Sequence, residues 1–331
     1  MSSQFDVLTI GNAIVDVIAR AEEDFLVTHG ITKSSMTLID EHRAEMLYAA
    51  MGPATIISGG SAANTAACIA SFGGKAAFIG CVKADPVGDI FAHDIVSTGV
   101  AYGTAQMAEG PATARSFILV TPDGERTMNT YLGACQNLTE KQIDPAVVSA
   151  AKVTYLEGYL WDPPLAKIAF RKAAEIAHKA GREVAITLSD SFCVDRYRAE
   201  FRDLIKTGTV DLVFANEHEL KALYETADFD TALEALRAEV KRAAVTRSEK
   251  GAVIIEGNTN VVVPAHPIAG LVDATGAGDA YAAGFLHGYT NGMGFEKASR
   301  LGALAAAHVI QKIGARPGRP LKELAQEEGL M

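Results

Sequence analysis

The sequence predicts an α/β protein: a three-layer α/β/α domain with a mainly parallel central sheet and a small β-sheet lid. Three observations lead there. Apolar runs of strand length alternate with helical stretches along most of the chain. These runs are continuously apolar, which says that both sheet faces are covered. Two segments break the alternation and supply the lid.

The opening "FDVLTIG" (5–11) reads as a buried strand. "ATIIS" (54–58) and "KAAFIGC" (75–81) look like further buried strands. They flank "SAANTAACIASFG", a small-residue helix with Ser61 as N-cap and Gly73 as stop. That makes a β-α-β unit, which implies parallel strands. The pattern continues with "KVTYLE" and helix 164–180, "EVAITLS" and helix 193–206, "DLVFA" and helix 217–225, then "AAVTR" and "GAVIIEG". The exceptions are residues 13–39, with strand-like alternation from "AIVDVIAR" to "SMTLID", and residues 112–132, a hairpin around "PDGE". Neither leads into a crossover helix. Together they are expected to form a separate sheet over the strand ends, acting as a lid. No linker, repeat or low-complexity segment intervenes, so residues 1–331 read as a single domain.

Hydrophobic residues make up 49% of the chain, ample for a core, and the 30 glycines suit close helix-on-sheet packing. The formal charge is −10 and no basic tract interrupts it, which argues against nucleic acid or an anionic membrane as main partner. Phosphate can still bind locally through backbone amides. Cys68, Cys81, Cys135 and Cys193 are far apart and form no CxxC, as expected for reduced thiols in a cytoplasmic enzyme. The start, "MSSQFDVLTIG", does not read as a signal peptide, and "LGALAAAHVI" is too short to span a bilayer.

Four constellations carry chemistry. In "DATGAGDAYAAGFLHGY" (273–289), Gly276, Ala277 and Gly278 precede Asp279 where a helix begins. Free N–H groups at such a mouth favour an anion. Asp279 can be a dipole-complementing first-turn acid, or the base for an attacking hydroxyl. A helix N-terminus lowers a carboxylate's pKa, which weakens a base, although phosphoryl transfer demands little base strength. In "SGGSAANTAACIASFGG" (58–74), Gly60 precedes a helix carrying Asn64, whose amide can donate to and accept from a hydroxyl. Asp16, in "GNAIVDV", is an acid in an apolar strand: either a satisfied edge residue or a grip on a vicinal diol. In "FANEHEL", Asn216 and Glu219 form a capping-box pattern that also suits a water-mediated Mg²⁺ site. The chain has no GxxxxGK[ST], complete GxGxxG, HExxH or GxSxG.

Taken together, these residues resemble the ribokinase-like (phosphofructokinase-B-type) carbohydrate and nucleoside kinases. "GGSAANTAACIASFGGKAAFIGCVKADPVG" is similar to the N-terminal signature of that family and "DATGAGDAYAAGF" to its C-terminal one, with "NEHE" between them resembling its N-x-x-E element. The resemblance covers essentially the whole chain. It implies that Asp279 is the catalytic base and that Gly276, Ala277 and Gly278 form an anion hole. It further implies that Asp16, Gly60 and Asn64 hold sugar hydroxyls, and that Asn216 and Glu219 serve magnesium and phosphate. The opening segment, "IGCVKADPVGD" and "SDSFCVDRYR" are most similar to the adenosine kinase branch. On that resemblance Met36, Leu38, Met128 and Tyr159 would wall a purine slot, with lid or core packing as the alternative. Arg126 would reach the transferring phosphate, or would simply be an exposed hairpin arginine. The family commonly shows T-x-G-x-x-G near the nucleotide. Here "TRSEKG" keeps Thr246 and Gly251 but puts Ser248 at the first glycine.

The resemblance thus implies an ATP- and Mg²⁺-dependent kinase acting on a nucleoside 5′-hydroxyl, adenosine above all, in purine salvage. A sugar kinase of the ribokinase or fructokinase type is the alternative, and a non-catalytic nucleoside-binding regulator a further one. The family sometimes binds a monovalent cation such as K⁺. The expected partners are ATP and a small-molecule acceptor, and the assembly a monomer or homodimer.

Overall fold

The computed structural model describes residues 3–331. Among the described residues, fourteen strands fall into two sheets. In chain order they are β1 (Phe5–Ile10), β2 (Ile14–Arg20), β3 (Met36–Leu38), β4 (Ala54–Gly59), β5 (Ala76–Ile79), β6 (Ala101–Tyr102) and β7 (Ala114–Val120). They continue as β8 (Arg126–Tyr131), β9 (Ala151–Glu157), β10 (Glu183–Thr187), β11 (Leu212–Asn216), β12 (Arg242–Thr246), β13 (Ala252–Glu256) and β14 (Thr259–Val263).

The large sheet has the order β14-β13-β12-β11-β10-β9-β1-β5-β6. It is parallel from β12 to β6, and antiparallel only at the β13 and β14 edge. Alternate side chains leave a strand on opposite faces. Val7 of β1 and Tyr155 of β9 therefore join one core, beneath the helices Ser61–Ser71, Ala277–Thr290 and Phe295–Val309. Leu8, Ile10 and Leu156 join the other, beneath Pro164–Lys179, Ser191–Lys206, Glu217–Tyr224 and Phe229–Glu239. Two buried faces explain the continuously apolar strand sequences.

The second sheet runs β3-β8-β7-β2-β4. Its β7 and β8 pair antiparallel around the "PDGE" turn. One expectation is corrected here. β4 does not extend the large sheet; it pairs antiparallel with β2, from Ala19↔Ala54 to Ile14↔Gly59. "ATIIS" and "KAAFIGC" are thus not one β-α-β unit, because the helix between them links two sheets. A short apolar run reads alike whether it is a core strand or a half-exposed edge strand, and Ile56 of β4 is in fact exposed. At the other end, β12 and β13 form an antiparallel pair with only the 3-10 turn Ser248–Lys250 between them. No described helix is long and apolar enough to cross a membrane.

The alanine- and glycine-rich composition is used where helix Ala277–Thr290 crosses Phe295–Val309. A Cβ on Gly284 would run into the carbonyl of Leu301. Helix propensity alone favours Gly284→Ala by ~1 kcal/mol. The close approach should win, so the variant is expected to lose roughly 1–3 kcal/mol in urea denaturation. A variant more stable than wild type would contradict the packing described.

Candidate active site

Parallel strands end at one edge of the large sheet, where ligands of open α/β folds bind. Two helix N-termini meet there. Gly60 caps the helix Ser61–Ser71 with φ +95°, and Gly276 caps Ala277–Thr290 with φ +77°. At each, an added Cβ would also strike the backbone or side chain opposite, Asn12 at Gly60 and Ala315 at Gly276. Both turns therefore require glycine.

Ser61 was expected as the N-cap, but Gly60 holds that position and no side chain caps the helix. Ser61 instead turns across the gap and its Oγ donates to Asp279 Oδ1 at 2.6 Å. Asn64 Nδ2 donates to Asp279 Oδ2 at 3.3 Å. The expected lowering of the Asp279 pKa is reversed. Burial raises it to about 6, against the opposing pull of Ser61, Asn64 and the Arg316 charge. Burial thus supplies the basicity that the helix mouth alone would remove.

The anion-hole expectation is also adjusted. The Ala277 N–H is taken by the Ala274 carbonyl at 3.2 Å, because the chain turns tightly before the helix. Among the described residues, the N–H groups of Gly276, Gly278 and Asp279 have no such partner.

Asp16 of β2 is half-buried and its carboxylate accepts no hydrogen bond from the described residues. Burial raises it to about 6, with Arg316 and Arg126 acting in the opposite sense. Strand register shows what shares its sheet face. One row runs Asp16, Ser116, Thr130, Leu38, and the next Ile18, Ile118, Met128, Met36. Ser116 and Thr130 are buried and hydrogen-bonded to each other at 2.8 Å. Met36 and Leu38 are 51% and 53% exposed, so both rows end in uncovered apolar surface. Arg126 is not an exposed hairpin arginine: its side chain is buried and ion-paired with Asp273. Asp273 also accepts from the backbone N–H of Gly314 at 2.8 Å and of Thr275 at 3.0 Å.

A second cluster lies at the ends of β11 and β12, where Asn216 and Thr246 are register partners. Asn216 Oδ1 accepts from the Glu219 N–H at 2.9 Å, and Glu219 Oε2 from the Asn216 N–H at 3.0 Å. Burial lifts Glu219 to about 7. Gly251 has φ +84°. Ser248 has φ +50°, so this serine keeps the left-handed conformation that a glycine adopts freely. Tyr159 follows β9 in a short turn, 38% exposed. Desolvation raises its phenol, helped by the charges of Asp190, Asp279 and Glu219.

Two charged residues escaped the sequence reading. Glu157, at the end of β9, accepts from Ala62 N at 2.8 Å, Asn12 Nδ2 at 2.7 Å and Asn12 N at 3.3 Å. It pins the first turn of the Ser61 helix to the end of β1, and burial raises it to about 7. Its only sequence signal is an acid closing an apolar strand. Arg316, in "GARPG", donates through Nε to Asn64 Oδ1 at 2.9 Å and through a terminal nitrogen to Ser58 O at 2.9 Å. No periodicity marks it, since it lies in the irregular segment after the last long helix.

Comparison with known proteins places this geometry. The model of the pfkB family carbohydrate kinases matches residues 5–322. The chain belongs to the pfkB family of carbohydrate kinases. It is accordingly a phosphotransferase with an alcohol group as acceptor and ATP as co-substrate. A solved structure from Rhizobium etli, described as a probable sugar kinase, is 57% identical with TM-score 0.93, covering 99% of this chain and 100% of that one. The adenosine kinase from Sinorhizobium meliloti is also 57% identical, with TM-score 0.91 and coverage of 98% and 100%. An ATP-dependent ribose-1-phosphate kinase from Halopiger xanaduensis is 31% identical over 83% of this chain and 89% of its own length.

The four raised acids make a stability prediction. A carboxyl whose folded pKa exceeds its unfolded value binds a proton on folding. Its contribution is complete below the unfolded pKa and is lost as pH rises through the folded pKa. For Asp16, Asp279, Glu157 and Glu219 that loss ends near about 6 to about 7. Glu217, held at about 2 by Lys221 and Arg247, titrates well below this window. The Tm of the ligand-free protein should therefore fall between about pH 4 and about pH 7, against the opposite contribution of His287 and His308, whose pKa values burial lowers and which therefore add stability as pH rises toward the ordinary histidine value. Asp16→Asn should flatten that fall. A Tm that climbs across the window would contradict the raised pKa values.

Proposed function

We propose that this family member transfers the γ-phosphoryl group of ATP to the 5′-hydroxyl of a nucleoside, adenosine above all, giving AMP and ADP. The observation that carries the reading is Asp279, a raised, half-buried carboxylate at a helix mouth, held by Ser61 and Asn64 and near enough to the unpartnered acid Asp16 to act on its charge. Two further points favour a nucleoside. The Met36, Leu38 and Met128 surface beside Asp16 suits a flat apolar base. The adenosine kinase from Sinorhizobium meliloti, at 57% identity, supports a nucleoside, while the probable sugar kinase from Rhizobium etli is equally similar.

In this reading Asp16 accepts hydrogen bonds from the ribose diol, and Asn64 donates to the same sugar. The 5′-hydroxyl lies against Asp279, which takes its proton as the oxygen attacks phosphorus. The O5′–P bond forms, the bond from phosphorus to the β–γ bridging oxygen breaks, and ADP leaves. The free amides of Gly276, Gly278 and Asp279 stabilise charge on the transferring group. The ATP phosphates extend toward Asn216, Thr246 and Gly251. Arg126 acts indirectly, since its pairing with Asp273 holds the second sheet against the Gly276 turn. That sheet serves as the lid, excluding water as a competing acceptor.

The residues present fit magnesium in one manner. Among the described residues no group of three His, Cys, Asp or Glu side chains gathers as a metal cage. Glu219 and Asn216 already satisfy each other, which suits an ion that keeps its waters and meets protein through them. Bound there with ATP, Mg²⁺ would neutralise phosphate charge.

A sugar acceptor is the second reading, favoured by the 31% identity to a ribose-1-phosphate kinase. ATP consumption measured against adenosine, other nucleosides, ribose, fructose and ribose 1-phosphate separates the two. Adenosine should give the highest kcat/KM, and turnover of sugars alone would defeat the nucleoside assignment. Asp279→Asn should lower kcat by roughly 10²–10⁴-fold. Wild-type turnover in that variant would remove Asp279 as base. Because the base must be ionised, kcat/KM should fall on the acid side of a limb near pH 6, where Asp279 takes up its proton.

A further inference from the structure

Arg316 stands apart from the residues used above. It lies beyond both signature segments, and its guanidinium reaches back under the acceptor pocket. One terminal nitrogen donates to Ser58 O at 2.9 Å and to Ser58 Oγ at 3.0 Å. Ser58 in turn donates through N and Oγ to Asp94 Oδ2, at 2.8 Å and 2.5 Å. The Arg316 Nε donates to Asn64 Oδ1 at 2.9 Å, while Asn64 Nδ2 donates to Asp279. The remaining terminal nitrogen is buried without a partner. A chain of contacts therefore runs Asp94, Ser58, Arg316, Asn64, Asp279, joining β4 to both helix mouths.

An amide side chain has one acceptor and one donor end, and it can flip. Arg316 donates only, so it can bind only the carbonyl end of Asn64. With that end taken, the N–H end must face Asp279 and the acceptor pocket. We propose that Arg316 is a positioning residue that fixes Asn64 as a donor toward the acceptor substrate and holds positive charge beneath Asp279 and Asp16. The inference rests on the reading of Asp279 as base. Lysine would keep the charge but lose the planar fork that spans Asn64 and Ser58.

The charged and titratable groups facing the guanidinium come from four elements. They are Asp16 on β2, Cys68 on the Ser61 helix, Asp94 on the helix Pro86–Ser97 and Asp279 on the Ala277 helix. Arg126 and Lys312 lie one step further out, the first acting on Asp16 and the second on Cys68. Among the cations, Arg316 acts on both Asp16 and Asp279, and it pulls each below the value that burial alone would give.

Arg316→Met and Arg316→Lys test this through pH profiles of kcat/KM for adenosine, beside KM for ATP and thermal melts. In Arg316→Met the acceptor KM should rise roughly 10- to 100-fold, as expected when a buried hydrogen-bonding group loses its partner. Its acid limb should also move to higher pH, because Asp279 protonates more readily without the charge. In Arg316→Lys the limb should stay while the acceptor KM still rises. KM for ATP should hold in both. A folded Arg316→Met with wild-type limb and acceptor KM would overturn the proposal. If that variant does not fold, a wild-type acceptor KM in Arg316→Lys would overturn it. Wild-type turnover in Asp279→Asn would defeat the underlying reading instead, whereas an inactive Asp279→Asn beside an unchanged Arg316→Met defeats this inference alone.

Discussion

The hydrogen bond between Ser61 and Asp279, at 2.6 Å, joins two helix N-termini mouth to mouth, and the site depends on that meeting. Two such ends carry like partial charge and would repel across a gap. A carboxylate between them turns repulsion into attraction. Glycine at each cap lets the backbones come close enough, and Glu157 anchors the first turn of one helix to the end of β1. The second sheet is tied to the other through Arg126 and Asp273. The proposed acceptor site lies among these restraints.

The electrostatics follow from that closeness. Asp16, Glu157, Glu219 and Asp279 are all raised by burial above the ordinary carboxylate range. Structural and chemical acids differ here in their partners. Glu157 accepts three N–H groups and Glu219 accepts two from Asn216, and these bonds serve the fold by pinning a helix turn and closing a capping box. Asp16 accepts nothing from the described residues and Asp279 only two side chains, so each keeps capacity for a ligand. Clustered perturbed acids with spare acceptor capacity are a functional signature.

Much of the fold was legible because two-sided burial leaves continuously apolar strands, and the "PDGE" hairpin carries its own turn chemistry. β4 was misassigned because six residues of edge strand look like six residues of core. The site was legible where glycines announce a tight helix start, as at Gly60 and Gly276. Ser61 was misread since a serine before a helical run signals a cap, and only the facing helix reveals its partner. The Asp279 pKa was misjudged because dipole effects are local to sequence while burial is a property of the fold. Arg316 and Asp273 act on residues far away in the chain, through contacts that no spacing rule encodes.

In the proposed reaction the Asp279 mouth delivers a phosphoryl group to a nucleoside 5′-oxygen. The most direct measurement is phosphorus NMR of the products formed from ATP, Mg²⁺ and adenosine. The expected products are ADP and a 5′-phosphomonoester in equal amounts, with the ester phosphorus coupled to the two C5′ protons. ADP accompanied only by inorganic phosphate, or a phosphate ester on a different ribose oxygen, would contradict it.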